Sequence, residues 1–113
     1  MREPQQVFFP LGKAAYKEKR PGVLLKTITG ERSQLCLIEL APGTETHHAH
    51  ENEQIGYILA GEAVLTVGDA THLLEAGDGY RIPAYVRHSF TVRATSRLKY
   101  IEVFCPPKPE NDI

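Results

Sequence analysis

The stretch THHAHENEQIGY, residues 46–57, places three of the chain's five histidines within four positions. In an extended strand alternate residues share a face, so His48 and His50 point to one side and His47 to the other. Gln54 follows four residues after His50 and has the same parity. Imidazole nitrogens and amide oxygens are ligands for divalent first-row metals, so this pattern predicts part of a metal site.

A second stretch, GDGYRIPAYVRHSF at residues 77–90, places His88 at the start of a later strand-like segment. A His-x-His pair alone is a weak signal, because exposed histidines also cluster by chance. With His88 the candidate set grows to three imidazoles and an amide oxygen. Such a set leaves coordination positions open for substrate or water.

Composition limits the class of protein. The chain has 113 residues, the size of one domain, and its net charge of −1 gives no basic field for nucleic acid. No apolar run approaches the roughly 20 residues of a membrane span, and the N-terminus lacks the apolar core of a secretory signal. We therefore expect a cytoplasmic chain whose two cysteines, Cys36 and Cys105, are buried or half-buried thiols; a disulfide stays open, because sequence gives no distance.

Hydrophobic periodicity predicts an all-β protein. The only helix candidate is AAYKEKR, residues 14–20, which Pro21 stops. Many short strands separated by turn signals are typical of a β-sandwich or β-barrel. The predicted strands are 23–29, 34–40, 54–60, 62–67, 71–75, 88–94 and 98–104.

Three segments bear on assembly and on the ends of the chain. Strand 34–40 is largely apolar on both faces, which suits a strand covered on both sides, for example by a second subunit. The segment QVFF, residues 6–9, could pair with a partner's sheet edge, and we expect a homodimer. The tail PPKPENDI, residues 106–113, cannot continue a sheet and either frays or packs as an extended arm.

The two histidine motifs together resemble those of small single-domain cupins. The resemblance covers about residues 34–104, within one domain spanning 1–113 with extended terminal arms. It implies a cupin β-barrel, or jelly roll, with one divalent transition metal inside it: Ni, Zn, Mn or Fe. The residues that carry the resemblance are Gly43, His48, His50, Gln54 and Gly61 in the first motif, and Gly77, Pro83 and His88 in the second.

The chain departs from the cupin pattern at three positions. Gln54 stands where the family most often has glutamate, and the Glu53–Gln54 pair resembles a subgroup in which glutamine is the ligand. An amide adds no negative charge, so the metal would remain a stronger Lewis acid. Tyr85 replaces the usual glycine and Val92 the usual asparagine; neither change removes a ligand.

Glu102 is an acid within an apolar strand-like run, where it shares a face with Tyr100 and Phe104. It is either a half-exposed glutamate, such as a partner for an arginine, or a carboxylate that points into the barrel. Burial near apolar walls would raise its pKa and a nearby metal would lower it. A carboxylate beside a metal can serve as general acid or base.

The segment YIEVFCPPKPEN, residues 100–111, resembles the ending of the KdgF-type cupins of pectin and alginate breakdown. Those enzymes convert cyclic 4,5-unsaturated uronates to linear keto forms. The resemblance implies Glu102 as catalytic acid, Phe104 as pocket aromatic and Lys108 as substrate-binding base. The family has aspartate and arginine at the first and last of these positions, and lysine lacks arginine's bidentate fork.

Three functions follow as hypotheses. The first is a metal-dependent isomerase or tautomerase acting on a sugar acid or similar small anion. The second is an Fe-dependent dioxygenase, and the third is a non-catalytic small-molecule or sugar-binding module. Arg81 is a further substrate-binding candidate that could clamp an anion, although it could equally form a surface ion pair. We expect His47 and His72 to lie on the surface, and Tyr57 to pack away from the metal.

Overall fold

The computed structural model describes residues 6–113, and within this range the chain forms ten strands in two antiparallel sheets. The six-stranded sheet has the order β1-β2-β3-β10-β5-β8 and the four-stranded sheet the order β4-β9-β6-β7. Two short 3-10 helices lie at Leu11–Lys13 and Pro109–Asn111. The strands are β1 Lys17–Arg20, β2 Val23–Thr29, β3 Gln34–Leu40, β4 Glu45–His48, β5 Glu53–Ala60, β6 Ala63–Val67, β7 Ala70–Leu74, β8 Gly79–Ile82, β9 His88–Val92 and β10 Leu98–Cys105.

One apolar core joins the inner faces of both sheets, as in a jelly roll, and the prediction of an all-β fold of this kind is confirmed. The alternation of β3 shows why: Cys36, Ile38 and Leu40 are buried, while Leu35 and Leu37 are only half-buried. The core contains Val23, Leu25, Cys36, Ile38, Leu40, Ile58, Ala63, Leu65, Leu74, Ile82, Phe90, Val92, Leu98, Tyr100 and Phe104.

The predicted helix at residues 14–20 is wrong. Lys17–Arg20 form β1, which pairs antiparallel with β2, and Arg20 stands opposite Val23. Pro21 and Gly22 make the turn between them, with Gly22 at φ 82°. A seven-residue segment is too short to hold a helix alone, so the hydrogen bonds offered by β2 decide its conformation.

Two short strands stand apart from the apolar runs. β4 ends at His48, so His50 lies beyond the strand that was expected to carry both histidines. β8 is largely polar and exposed, and it is defined by pairing with β5. In both cases the extended conformation depends on hydrogen bonds to a neighbouring strand more than on the residues of the segment itself.

The loop before His88 has a residue in the left-handed region. Tyr85, which replaces the usual glycine, has φ 67° and an exposed side chain. Its backbone N–H donates to the His50 carbonyl at 2.7 Å. This contact ties the second histidine motif to the first.

The C-terminal tail packs as an arm against the barrel. Lys108 and Asn111 are buried, and Gln34 of β3 holds both of them. The Gln34 amide donates to the Lys108 carbonyl at 3.0 Å and accepts from the Lys108 N–H at 3.3 Å. The Asn111 amide also donates to Gln34, at 3.4 Å.

The remaining expectations concern the cysteines and the N-terminal segment. Cys36 is a buried free thiol as expected, whereas Cys105 is exposed because it ends β10 on the outward-facing side. Residues 6–9 form no strand, and Val7 and Phe8 are exposed. In the described part of the chain no helix is long and apolar enough to cross a membrane.

Candidate metal centre

Three imidazoles meet inside the barrel. His48 at the end of β4 stands opposite His88 at the start of β9, and their ring centroids are 5.7 Å apart. His50 lies in the loop after β4, with its ring 4.9 Å from that of His88 and 6.1 Å from that of His48. The sheet register and the following loop thus gather three histidines from two separate motifs.

Hydrogen bonds to the backbone fix the tautomers of two of these rings. His50 Nδ1 lies 3.1 Å from the Asn52 carbonyl oxygen, and His88 Nδ1 lies 2.9 Å from that of Val86. A carbonyl only accepts, so each Nδ1 carries the proton and each Nε2 keeps a free lone pair. Both Nε2 atoms are buried and have no hydrogen-bond partner.

Gln54 on β5 adds a fourth candidate metal ligand. Its side chain is buried, its Nε2 donates to Glu102 Oε2 at 2.5 Å, and its Oε1 is buried with no partner. Buried polar atoms normally have a hydrogen-bond partner, so it is unusual to find three lone-pair atoms without one in the same place. Nitrogen and oxygen lone pairs of this kind suit a divalent first-row metal, and the residues present fit such an ion.

The histidines are held in the protonation state that metal binding requires. Burial, together with the positive charge of Lys108, lowers the pKa of His48 to about 3. Burial lowers the pKa of His50 and of His88 as well. The rings are therefore neutral at neutral pH. Within residues 6–113, however, no three His, Cys, Asp or Glu side chains form a complete metal-binding group as they stand.

Glu102 points into the barrel and not toward solvent. It is 3% exposed, and its Oε2 accepts hydrogen bonds from Gln54 Nε2 and from the Tyr80 hydroxyl, each at 2.5 Å. Burial raises the pKa of Glu102 to about 7, against the opposing effect of these two hydrogen bonds. A carboxyl group with a pKa near 7 can both take and give a proton at neutral pH.

The cavity beside these residues is small and positively charged. Its volume is about 40 Å³, and Lys19, Arg20 and Lys108 line it together with Glu102. The Lys108 side chain is 7% exposed, and its carboxylate partner Glu110 is 3.5 Å away on the surface. Basic groups thus outnumber acidic ones at this end of the barrel.

The structure brings most of the predicted site residues together. The three histidines, Gln54, Glu102, Phe104 and Lys108 lie in or beside one cavity, and Lys108 Nζ is 5.4 Å from the centre of the Phe104 ring.

Arg81 is not among them. Its side chain is exposed on the outside of the barrel and pairs with Glu53 at 3.1 Å, because alternation along β8 turns it away from the interior. His47 and His72 are exposed, as expected.

Several residues of the site could not be singled out from their own sequence context. Lys19 and Arg20 fall in the segment expected to be helical, and Asn111 falls in the tail. Tyr80 reaches Glu102 from a different strand. The segment KEKR before Pro21 has no apolar alternation that would indicate a strand, and nothing in the local sequence marks Tyr80.

The fold and the site define a small β-barrel protein with a histidine-lined interior. The chain belongs to the cupin family: residues 36–104 match the family model described as "Cupin domain".

Two regulators are similar in sequence. The probable transcriptional regulator LumQ of Photobacterium leiognathi is 37% identical over 70 residues, which are 62% of this chain and 27% of that protein. The HTH-type transcriptional regulator PuuR of Escherichia coli K12 is 36% identical over 67 residues, 58% of this chain and 36% of that protein. The chain therefore spans only about a quarter to a third of these relatives.

A solved structure shares the fold over nearly the whole length. KdgF from Halomonas sp. superposes with a TM-score of 0.84 at 21% identity, covering 94% of this chain and 98% of that one. This likeness supports the jelly-roll architecture and the fold-level resemblance to KdgF-type cupins.

Proposed function

We propose that the chain is a metal-dependent enzyme that isomerises or tautomerises a small anion of the sugar-acid class. The observation that carries this proposal is the juxtaposition of three unpaired buried donor atoms with Glu102, a buried carboxyl group whose pKa is about 7. Fold-level likeness alone would not support an activity. The chemistry of these residues does.

His48, His50, Gln54 and His88 would hold one divalent ion: Ni, Zn, Mn or Fe. Such an ion, when bound, polarises substrate oxygens as a Lewis acid. The backbone bonds to Nδ1 of His50 and His88 orient their rings for this role.

The charge of the cavity supports an anionic substrate. Lys19, Arg20 and Lys108 line it, and Lys108 is the most enclosed of the three. Its carboxylate partner Glu110 is largely exposed, so the cavity itself carries more positive than negative charge. A substrate carboxylate beside Lys108 and Lys19 would add a negative charge inside the cavity, and Phe104 would form an apolar wall next to it.

Glu102 would move the proton. For a cyclic 4,5-unsaturated uronate the carboxylate would remove the proton of the C1 hydroxyl, the ring bond between C1 and oxygen would break, and the carboxylic acid would return the proton to C4. The O–H bond, the C1–O ring bond and the C4=C5 π bond break, while a C4–H bond and the π bonds of a C1 aldehyde and a C5 ketone form, so the step needs no oxidant or reductant. Burial raises the pKa of Glu102 to about 7 in the metal-free chain, and a bound ion would lower it and so favour the carboxylate that removes the first proton.

The size of the cavity bears on how a sugar ring would enter. A cavity of about 40 Å³ is well below the roughly 150 Å³ that holds a benzene molecule. A six-membered ring therefore requires some of the side chains around the cavity to move aside, and Lys108 and Asn111 of the C-terminal arm are among them. A small carboxylate fits with less rearrangement.

The direct test is an assay with 4,5-unsaturated galacturonate, followed by loss of its ultraviolet absorbance. We expect acceleration that a chelator abolishes and added metal restores, and that Glu102→Gln removes while the ion stays bound. His72→Ala, a surface histidine on β7, is the matched control and should leave the rate unchanged. A metal-loaded protein that gives no acceleration would contradict the uronate reaction, and oxygen uptake would then test the dioxygenase alternative.

A second function, ligand sensing without turnover, is favoured by one observation. Two relatives matched over about 60% of this chain carry the names of transcriptional regulators. Such a domain would bind a small anion in the same cavity and leave it unchanged. Calorimetric binding of galacturonate with no chemical change in any unsaturated uronate would support it over the enzyme.

A further inference from the structure

Tyr80 reaches Glu102 across an intervening strand. In the register of the six-stranded sheet, Glu102 on β10 stands opposite Gly56 on β5, and Gly56 stands opposite Tyr80 on β8. The Tyr80 ring crosses over Gly56, and its hydroxyl donates to Glu102 Oε2 at 2.5 Å. Side chains two strands apart do not normally meet in this way, because the strand between them carries a side chain of its own.

Glycine at position 56 makes this contact possible. A Cβ built on Gly56 would lie 2.1 Å from Tyr80 Cζ and 2.2 Å from its hydroxyl oxygen. Any other residue there would displace the tyrosine. Gly56 has no positive φ, so its missing side chain, and not its backbone freedom, is the feature that the site uses.

Both hydrogen bonds to Glu102 end on the same oxygen. Tyr80 and Gln54 each donate to Oε2, and no residue in the described range donates to Oε1. Gln54 faces this oxygen with its NH₂ group, which donates the hydrogen bond to Glu102 Oε2. The amide oxygen of Gln54 is thereby turned away from Glu102 and left without a partner.

We infer that Tyr80 is a positioning residue, which with Glu102 fixes the Gln54 amide so that its oxygen, and not its nitrogen, is presented to the metal. The inference rests on the proposed metal centre. Glutamine needs its side chain oriented more than glutamate does, because only its amide oxygen, and not its amide nitrogen, can be a metal ligand. The two oxygens of Glu102 then have separate roles: Oε2 accepts the hydrogen bond that holds Gln54, and Oε1 is free to bind and release a proton.

The test is Co²⁺ binding to the purified chain. Tyr80→Phe removes only the hydroxyl and keeps the ring packed 5.6 Å from Phe90, centre to centre. We expect the Co²⁺ dissociation constant to rise about tenfold, the lower end of losses seen when groups that orient metal ligands are removed. The visible spectrum of bound Co²⁺ should change as well, a signature that a merely structural hydroxyl would not affect.

Two glycines on adjacent strands give a matched pair of variants. Gly56→Ala should displace Tyr80 and reproduce the loss of affinity. Gly79→Ala should not, because a Cβ there meets only the Gly56 carbonyl oxygen at an ordinary 3.5 Å.

The outcomes separate this inference from the proposed function. Wild-type affinity and an unchanged spectrum in Tyr80→Phe would overturn the positioning role, and Tyr80→Phe decides alone if Gly56→Ala fails to fold. Wild-type chain that binds no Co²⁺ would overturn the inference and the metal centre together. If the wild-type chain binds Co²⁺ and the variants lose affinity as expected, but the wild type converts no uronate, the inference stands and only the proposed reaction is refuted.

Discussion

Glu102 is a carboxyl side chain surrounded by the barrel interior, and its environment affects stability as well as chemistry. Burial raises its pKa from 4.5 to about 7, so between these values the folded state binds more protons than the unfolded state. Stability from this group is fully present below about pH 4.5 and is lost as the pH rises through 7.

We predict that Glu102→Gln removes this pH dependence in the metal-free protein. The free energy of unfolding of the wild type should fall relative to the variant by about 1–3 kcal/mol between pH 4.5 and pH 8. Urea unfolding with chelator present measures it. The lowered pKa values of the histidines change stability in the opposite direction, so the difference between the two proteins isolates Glu102. A constant difference across the range would contradict the assigned pKa.

Tyr85 carries a conformational cost that its side chain does not visibly offset. A backbone φ of 67° destabilises the folded state by about 1–2 kcal/mol for a non-glycine residue. Tyr85 is 74% exposed, so its ring makes few contacts that could offset this cost. We predict that Tyr85→Gly raises the free energy of unfolding by up to about 1 kcal/mol, after the greater freedom of glycine in the unfolded chain is subtracted. Gly77→Ala is the reciprocal control: φ is 96° and nothing lies near its Cβ, so it should destabilise. Lower stability in Tyr85→Gly would show that the ring makes a compensating contribution.

The metal-binding candidates could be identified from sequence because each belongs to a short local motif. His48, His50 and Gln54 lie within seven residues, and His88 follows Pro83 in the second motif. Tyr80 and Lys19 could not, because their place in the site depends on strand register and on the turn at Gly22. Long-range pairing of this kind leaves no mark in a local window.

At the scale of elements, the strands with clear alternation were predicted to within a few residues. β2 and β3 match the predicted 23–29 and 34–40 in full. β1, β4 and β8 are short and largely polar, and their conformation comes from the neighbours that pair with them. The sequence of β3 is apolar on both faces, so only the structure shows that the face with Cys36, Ile38 and Leu40 is the buried one.

The C-terminal arm is an element that depends on one buried side chain. Gln34 is completely buried, and its amide pairs with both backbone groups of Lys108 and with Asn111. We predict that Gln34→Leu lowers the free energy of unfolding by about 2–3 kcal/mol, because these groups lose their partners inside the protein. Amide hydrogen exchange should accelerate chiefly in residues 106–113. Thr66→Val should change neither quantity, because it removes only an exposed hydrogen bond between Thr66 of β6 and Thr71 of β7.

An arm that stayed equally protected in Gln34→Leu would contradict this assignment. The link to function is direct, because Lys108 lines the cavity. A loosened arm should raise the KM for an anionic substrate more than it lowers kcat, since Lys108 contributes to binding and Glu102 remains in place.

At the scale of the whole molecule, the outer face of the six-stranded sheet carries a row of exposed apolar side chains. Ile55, Tyr57 and Leu59 alternate along β5 and are 53%, 49% and 47% exposed. Half-buried Ile101 and Val103 of β10 lie beside them. An apolar face of this kind is typical of an interface, and we propose that it forms the homodimer.

We predict a dimer by size-exclusion chromatography with light scattering, and a monomer for Tyr57→Glu, which places a charge at the centre of that face. Leu73→Glu is the matched control, since Leu73 is an exposed apolar residue of the other sheet. A wild-type monomer at micromolar concentration, or a dimer disrupted by Leu73→Glu instead, would reject this face as the interface.

The central claim is that the three histidines and Gln54 form one metal site, and the most direct measurement is the number of divalent ions bound per chain. Zn²⁺ or Co²⁺ titration should give one ion per chain for wild type and for the surface control His72→Ala. His50→Ala should lose most of that binding while its circular dichroism and barrel fold are retained. Full occupancy in His50→Ala, or no ion bound by the wild type, would contradict the site.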